Sequence, residues 1–159
     1  MDRIFTGSKD AKISKPEKIL KDGEFLAFKK DRNKKMKFRE IKLETGAKFI
    51  LGKDEESNDD LMNKFRGKKN IILHTSSPGS PFCVIKNKVS EKDVYLAAVA
   101  CARYSQDWRD NKKDVKVNVF TGKEISKKKD MKPGTWVVSK FKTIIVKKED
   151  ILKTLQLEK

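Results

Sequence analysis

The sequence predicts an α+β domain with a largely antiparallel sheet, one main helix at about 91–106 on one face of that sheet, and short accessory helices. Short alternating or apolar runs of strand length recur on both sides of a single strong helical pattern. That pattern is the small-residue run LAAVACA, which follows Ser90 and Asp93 at the spacing of a capping box. Strands, one well-specified helix and further strands, in this order, are typical of the α+β class.

The chain has 159 residues, which is enough for one domain with a sizeable core. Residues 1–22 are mostly polar and are predicted to be a weakly ordered basic arm, and 23–159 are predicted to form a single domain. The N-terminus lacks an apolar signal core, and no apolar run approaches the roughly 18 residues of a membrane span. These features predict a cytosolic or nuclear protein, of which we favour the cytoplasmic location.

In the first half of the chain, the patterns predict strands at 24–28, 36–44, 47–52, 70–74 and 82–85. A basic turn is predicted at 29–35, and the turn signal Thr45-Gly46 makes 36–44 and 47–52 a hairpin. An acidic loop at 52–58 is expected to end in a cap, Ser57 or Asn58, for a short helix at 59–65. Pro, Gly and Ser residues predict a turn at 75–81.

The second half of the chain contains the main helix and the last strands. After the helix, the patterns predict a loop at 110–114, strands at 115–119, 135–138 and 143–146, a basic loop at 127–132, and a short amphipathic helix at 149–157. The basic loop ends at Pro133-Gly134, a strong turn signal.

Charge is the strongest functional signal in the composition. The chain has 39 Lys and Arg residues against 23 Asp and Glu, a formal net charge of +16. An excess of this size indicates a polyanionic partner, although lysines that merely solvate the surface remain the alternative. The basic clusters are 29–39, Lys112-Lys113-Lys116 and 127–132, and the aromatic residues near them are Trp108, Phe120, Trp136 and Phe141. The lysines suit phosphates and the aromatics could stack on unpaired bases, although we expect Phe120 and Trp136 to be core residues.

Signatures of catalysis and of cofactors are not found in the sequence. His74 could act as a base for Ser76, Ser77, Ser80 or Cys83, but no nucleophile elbow flanks these residues. There is no GxGxxG and no Walker loop, so no nucleotide cofactor is indicated. One histidine and two separated cysteines do not provide a zinc site of the usual spacing. We therefore expect a protein that is not an enzyme and that has no cofactor and no metal, with Cys83 and Cys101 as reduced core residues.

A series of short motifs occurs between about residues 41 and 146: Gly52-Lys53, Asn58-Asp59-Asp60-Leu61, Ile72-Leu73-His74, Pro78-Gly79-Ser80, Val84-Ile85, Ala97-Ala98, Ala102-x-Tyr104-Ser105, Val115-x-Val117, Lys132-Pro133-Gly134 and Thr143-Ile144-x-Val146. Through these motifs the chain resembles the NFACT-R domain, the RNA-binding module of the NFACT family of NEMF-like ribosome-quality-control factors. Each motif is weak alone, but their order and spacing are fairly specific. The chain departs from the family at Asn70, where Asp is usual, and at Pro81, where His is common.

The resemblance implies a ligand, tRNA or ribosomal RNA of the large subunit, and a role in translation or ribosome-associated quality control. The family's nuclease-like, helix-hairpin-helix and coiled-coil regions are not in this sequence, so the resemblance is to the stand-alone version. The expected RNA contacts are His74, Ser77, Gly79, Ser80, Lys112, Lys113, Lys116, Lys128, Lys129 and Lys132. The alternatives are a general polyanion or DNA-binding protein, and a protein–protein adaptor on the ribosome.

Overall fold

The computed structural model of the chain describes residues 37–43, 45–87 and 90–157, together with short strand segments at 3–4, 13–14 and 28–30. Its strands are β1 (Arg3–Ile4), β2 (Ile13–Ser14), β3 (Phe28–Lys30), β4 (Arg39–Leu43), β5 (Lys48–Leu51), β6 (Ile71–Thr75), β7 (Cys83–Ile85), β8 (Val115–Thr121), β9 (Ile125–Ser126), β10 (Val137–Val138) and β11 (Lys142–Val146). Its helices are α1 (Glu55–Phe65), α2 (Glu91–Arg103), α3 (Gln106–Asn111) and α4 (Lys148–Leu157). The predicted α+β class is confirmed.

Eight strands form the main sheet in the order β2-β11-β8-β6-β7-β5-β4-β3. Every neighbouring pair is antiparallel except β2 and β11, which are parallel, so the prediction of a largely antiparallel sheet is also confirmed. A second small sheet has the order β1-β10-β9. The interior strand β6 pairs with β7 on one side and with β8 on the other, so the segment that follows β6 leaves from the interior of the sheet.

Each face of the main sheet is covered by its own hydrophobic core. Successive residues of a strand point to opposite faces, so Leu73 packs in the core that contains α2 and Ile72 in the core that contains α1. Phe120 and Trp136 belong to the α1 core, as expected for them from the sequence. The sheet is thus a middle layer, with α2 on one face and with α1 and the β9–β10 segment on the other.

The main helix α2 begins as the sequence predicts. Ser90 Oγ accepts a hydrogen bond from the Asp93 backbone N–H at 3.3 Å, and an Asp93 carboxylate oxygen accepts one from the Ser90 N–H at 3.4 Å. Residues 97–102 are fully buried, because their small side chains allow the helix to lie close to the sheet. The helix ends at Arg103, three residues before the predicted end, since Ser105 caps the separate helix α3 by accepting from the Trp108 N–H at 3.1 Å.

The prediction for helix α1 needs a correction. The helix begins at Glu55 and not at 59, so most of the predicted acidic loop is its first turn. Its N-cap is Asp54, which accepts from the Ser57 N–H at 2.8 Å, while Ser57 Oγ accepts from the Asp54 N–H at 3.0 Å. Ser57 is therefore the reciprocal member of a capping box and neither it nor Asn58 is the cap.

Two short strands also differ from the predictions. Lys29 and Lys30 lie in β3 and not in a basic turn, and the strand predicted at 24–28 overlaps β3 only at Phe28. Strand β9 is not predicted by the sequence pattern. The rest of the predicted strand, 24–27, and the rest of the predicted basic turn, 31–35, lie outside the described residues. The predicted arm at 1–22 lies outside them as well, apart from β1 and β2.

Both cysteines are buried and are not joined to each other in a disulfide. Burial raises the pKa of Cys83 well above its usual value and that of Cys101 to about 12, so neither thiol is ionised at neutral pH. Within the described ranges, no helix is both long and apolar enough to cross a membrane.

Candidate nucleic-acid interface

The Pro-Gly-Ser loop, residues 76–81, connects β6 to β7 and is tied to the sheet by several hydrogen bonds. The Thr75 N–H donates to Ser80 Oγ at 3.1 Å, and Thr75 Oγ1 donates to the Ser77 carbonyl at 2.6 Å. The Ser76 N–H donates to the Lys116 carbonyl on β8 at 2.9 Å. Gly79 has a φ of +86°, a conformation that favours glycine. The loop is therefore held in one shape at the end of the sheet.

His74 and Ser80, two of the predicted contact residues, lie at the buried base of this loop. The His74 side chain is 6% exposed, its ring centroid is 4.5 Å from that of Phe82, and its Nδ1 donates to the Thr75 carbonyl at 2.7 Å. Burial lowers the pKa of His74 to about 4, against the opposing effect of its hydrogen bonds, so the ring is neutral at pH 7. Ser80 Oγ donates to the Pro81 carbonyl at 2.9 Å. Both side chains are positioned to hold the loop.

Ser77 and Gly79, the other two predicted loop residues, are exposed at its outer side. The Gly79 carbonyl accepts a hydrogen bond from the Gln106 N–H at the start of α3, at 2.8 Å. A Cβ atom at Gly79 would lie only 2.8 Å from Gln106 Cβ, so a side chain there would disturb this contact. The loop thus presents a backbone surface that is docked against α3.

Lys112, Lys113 and Lys116 are all exposed, on the stretch that runs from the end of α3 into β8, two elements that hydrogen-bond to the Pro-Gly-Ser loop. Lys112 ends α3 in a left-handed conformation with a φ of +52°, and its Nζ is 5.1 Å from the Trp108 ring centroid. Lys116 is the residue whose carbonyl pairs with the loop. The structure therefore brings this predicted cluster near the predicted loop, although more than 30 positions separate them in sequence.

Lys128, Lys129 and Lys132 are exposed on the segment between β9 and β10. Asp59 on α1 fixes this segment, because its Oδ1 accepts hydrogen bonds from Lys127 Nζ, the Gly134 N–H and Trp136 Nε1, each at 2.9 Å. This Asp59 hub holds the two ends of the basic segment against α1 and leaves its central lysines in solvent.

An open cleft of about 300 Å³ lies between the Pro-Gly-Ser loop and the start of α1. Gly79 and Ser80 line one side and Glu55 the other, and a Cβ atom at Gly134 would lie 3.3 Å from Glu55 Cγ. Glu55, which lines the cleft, therefore lies next to Gly134 at the end of the basic segment that follows β9. The cleft is also lined by three cationic residues, Arg39, Lys53 and Arg109. None of these was predicted as a contact residue, since Lys53 and Arg109 stand outside the basic clusters and Arg39 only ends one.

The Gly-Lys and Asn-Asp segments noted in the sequence have a structural explanation here. Asn58 Oδ1 accepts from the Phe82 N–H at 3.0 Å, and the Gly52 N–H donates to the Phe82 carbonyl at 3.1 Å. A Cβ atom at Gly52 would lie 1.9 Å from Asn58 Oδ1. Gly52 is needed because any side chain would displace the amide that holds the end of the Pro-Gly-Ser loop.

We expect Gly52→Ala to lower the free energy of unfolding by about 2 kcal/mol, since it leaves the buried Phe82 N–H without its acceptor. The corresponding fall in Tm is about 4–8 °C. Thermal unfolding of Gly52→Ala, Asn58→Ala and the double variant checks the mechanism through a double-mutant cycle. The double variant should be no less stable than Asn58→Ala alone, because removing the amide removes most of the clash. Fully additive losses would show that Gly52 acts in another way.

Three of the four aromatic residues considered for base stacking are buried. Trp108, Phe120 and Trp136 are at most 3% exposed, and only Phe141 is partly accessible. The suggestion that Trp108 stacks on a base is therefore wrong, because it packs in the α2 core.

The two departures from the family pattern fit their surroundings. Asn70 Nδ2 donates to the Ile85 carbonyl at 3.0 Å and to the Lys86 carbonyl at 3.3 Å. An ionised aspartate cannot donate these bonds. Pro81 is buried, and its carbonyl accepts from Ser80 Oγ and, at 3.4 Å, from Cys101 Sγ.

The sequence of the chain matches the model of a known protein family, and its structure is similar to a solved structure. The sequence model of the family described as the NFACT protein RNA-binding domain matches residues 37–140, which run from just before β4 to just after β10. No curated protein matches the chain. The C-terminal part of the fibronectin/fibrinogen-binding protein from Streptococcus suis has a similar structure, with a TM-score of 0.65 and 24% identity over 78% of this chain. The match covers 51% of that structure, so this chain corresponds to about half of it, and the likeness concerns the fold.

Proposed function

This chain belongs to the NFACT RNA-binding domain family, and from that premise we propose that it is a non-catalytic module that binds tRNA or ribosomal RNA in the cytoplasm, in translation or ribosome-associated quality control. The family supports a general RNA-binding role. The observation that carries the proposal to this chain is the placement of exposed lysines around a loop of fixed shape. Lys112, Lys113 and Lys116 are exposed at the end of α3 and the start of β8, which both hydrogen-bond to the Pro-Gly-Ser loop. The cleft that contains Arg39 and Arg109 is lined by Gly79 and Ser80 of the same loop.

The physical basis of binding is charge on a preformed surface. Exposed lysines that neutralise phosphates release condensed counterions, and this release supplies much of the affinity for a nucleic acid. The backbone at Ser77 and Gly79 provides groups that approach a phosphate chain closely, because no large side chain covers them. In this arrangement His74 and Ser80 are positioning residues, and the exposed lysines make the phosphate contacts.

Two features support a non-catalytic role. The only histidine of the chain is buried, and with a pKa of about 4 it is a weak general base at neutral pH. Ser80, the nearest buried serine of the loop, already exchanges hydrogen bonds with Thr75 and Pro81. These groups are used to hold the loop, and we assign them no chemical step.

The identity of the nucleic acid is tested by competition at one salt concentration. Unlabelled tRNA, single-stranded DNA and duplex DNA are compared as competitors for a labelled tRNA bound to the protein. We expect tRNA to compete at least about 10-fold more strongly than either DNA, the equivalent of one good discriminating contact. Equal competition by all three would replace the proposal with a general polyanion-binding function.

The adaptor alternative is tested on ribosomes. The variant with Lys128→Glu and Lys129→Glu is sedimented with ribosomes before and after nuclease treatment. We expect the variant to remain in the supernatant, because the wild-type lysines bind RNA phosphates and the glutamates that replace them are repelled by those phosphates. Co-sedimentation that is unchanged by both the substitutions and the nuclease would indicate a protein–protein contact.

A further inference from the structure

The cleft between the start of α1 and the Pro-Gly-Ser loop has a size and lining that suit a small polar ligand. Its volume of about 300 Å³ is at the lower limit of ligand pockets, so it can take one nucleotide but not a duplex. It opens between two elements that are each fixed by hydrogen bonds, Asp54–Ser57 at the start of α1 and Thr75–Ser80 at the loop. The cleft is therefore largely preformed.

One wall of the cleft carries a stacked arginine. The Arg39 guanidinium lies over the Tyr104 ring, 3.8 Å from its centroid, and Arg103 lies 4.5 Å from the same centroid. Arg103 Nη1 also donates to the Tyr104 hydroxyl at 2.9 Å, which fixes the ring. One face of the Arg39 guanidinium is on the ring, which leaves the opposite face for a stacked ligand, and both residues line the cleft. A planar guanidinium held in this way is a stacking surface for an unpaired base.

Arg109 lines the cleft near Tyr104 and is held by uncharged groups. Its Nη1 donates to the Tyr104 carbonyl at 3.2 Å and its Nη2 donates to Gln106 Oε1 at 2.9 Å. Among the residues that the structure describes, neither Arg39 nor Arg109 is paired with a carboxylate. Their charge is therefore available to an anion.

Two carboxylates on the opposite wall limit what the cleft accepts. Asp54 is the N-cap of α1 and Glu55 follows it in the first turn. They disfavour a run of phosphates in the cleft, but they can accept hydrogen bonds from the amino or hydroxyl groups of a single nucleotide. The lining thus suits a ligand that has one phosphate near the arginines and hydrogen-bond donor groups near the carboxylates.

We propose that this cleft binds one unpaired nucleotide of an RNA strand, with the base stacked on Arg39 and the phosphate held by Arg109. The inference rests on the proposed RNA-binding function and adds to it a site for single-stranded RNA. The lysines hold the backbone outside the cleft, and the cleft takes up a base that is not paired.

The test compares two RNA probes of one sequence, a labelled single strand of about 12 nucleotides and the same strand in a duplex. The variants are Arg39→Gln, Arg39→Lys and Arg109→Gln. The matched control is Arg66→Gln, an exposed arginine at the opposite end of α1. We expect Arg39→Gln and Arg39→Lys to lower single-strand affinity by about 10-fold, since lysine keeps the charge but not the plane. Duplex affinity should change only as much as in Arg66→Gln.

Thermal unfolding of each variant provides the folding check. If Arg39→Gln unfolds at a lower temperature, Arg109→Gln supplies the same comparison from a side chain on the surface of α3. The inference is overturned if Arg39→Lys keeps the wild-type affinity for the single strand, or if the cleft variants match Arg66→Gln on both probes. Failure of the wild-type protein to bind either RNA would instead overturn the proposed function, and this inference with it.

Discussion

The variant with Lys112, Lys113 and Lys116 all replaced by glutamate is expected to bind tRNA on the order of 100-fold more weakly than the wild-type protein at 0.1 M salt. Each neutralised phosphate adds roughly 0.7–0.9 to the magnitude of the log–log salt slope, so three contacts account for a slope of about 2–3. The three lysines are exposed, and the Ser76 N–H of the Pro-Gly-Ser loop donates to the carbonyl of one of them, Lys116. Fluorescence anisotropy with labelled tRNA measures both the affinity and the slope.

A matched control separates location from net charge. Lys64, Lys68 and Lys69 are also exposed, but they lie near the other end of the sheet, where α1 ends and β6 begins. Their triple replacement by glutamate changes the net charge by the same amount. We expect this control to retain most of the tRNA affinity. If both triple variants lose affinity equally, binding depends on overall charge and the loop is not the interface.

Asp59→Ala is expected to have the largest effect on stability, a loss of about 3 kcal/mol in the free energy of unfolding. Asp59 Oδ1 accepts three hydrogen bonds. Two of the donors, the Gly134 N–H and Trp136 Nε1, belong to rigid groups that cannot turn to another acceptor when the carboxylate is removed. Trp136 is fully buried, so its orphaned N–H carries a desolvation penalty. Tm should fall by about 6–12 °C for a domain of this size.

The neighbouring carboxylate serves as the control for this prediction. Asp60 pairs with Lys37 where both side chains are about half exposed. Such a pair contributes little, so Asp60→Ala should cost less than about 1 kcal/mol. Urea unfolding of the two variants gives the comparison directly. Equal losses would mean that the Asp59 hub does not hold the segment between β9 and β10.

The pH dependence of the Asp59 effect has a defined sign. Partial burial raises the pKa of Asp59, but the hydrogen bonds from Lys127, Gly134 and Trp136 outweigh it and hold the pKa below its ordinary value of 3.8. A carboxyl group with a lowered folded-state pKa stabilises the fold fully above its unfolded-state pKa and loses that contribution as the pH falls through the folded-state value. The stability difference between wild type and Asp59→Asn should therefore be constant near neutral pH and shrink below about pH 4.

Local patterns explain which elements were predictable. Ser90 and Asp93 cap α2 as their spacing indicates, because a capping box involves only four consecutive residues. The start of α1 was placed too late because Asp54, Ser57 and Asn58 are all residues that can cap a helix. Only the structure shows that Asn58 is used elsewhere, as the acceptor for the Phe82 N–H. Local chemistry could not decide between them.

The site was less predictable than the fold, since it depends on long-range pairing. The first three residues of β6, Ile71–Leu73, are all apolar, so no alternation reveals which face His74 points to. Its burial follows from the register of β6 on β8, where it lies opposite the buried Asn118. Arg109 was missed because α3 is a six-residue polar helix that depends on the Ser105 cap. The lysine clusters, in contrast, are visible in the sequence, and the structure adds only the information on which residues lie next to them.

The salt dependence of tRNA binding by the wild-type protein tests the central claim most directly. The affinity for labelled tRNA is measured between about 50 and 200 mM salt, and log K is plotted against log of the salt concentration. A surface of clustered lysines on phosphates predicts a straight line with a slope of about −3 or steeper, in keeping with at least four phosphate contacts. An affinity that stays flat across this range would contradict an RNA-binding role for the surface around the Pro-Gly-Ser loop.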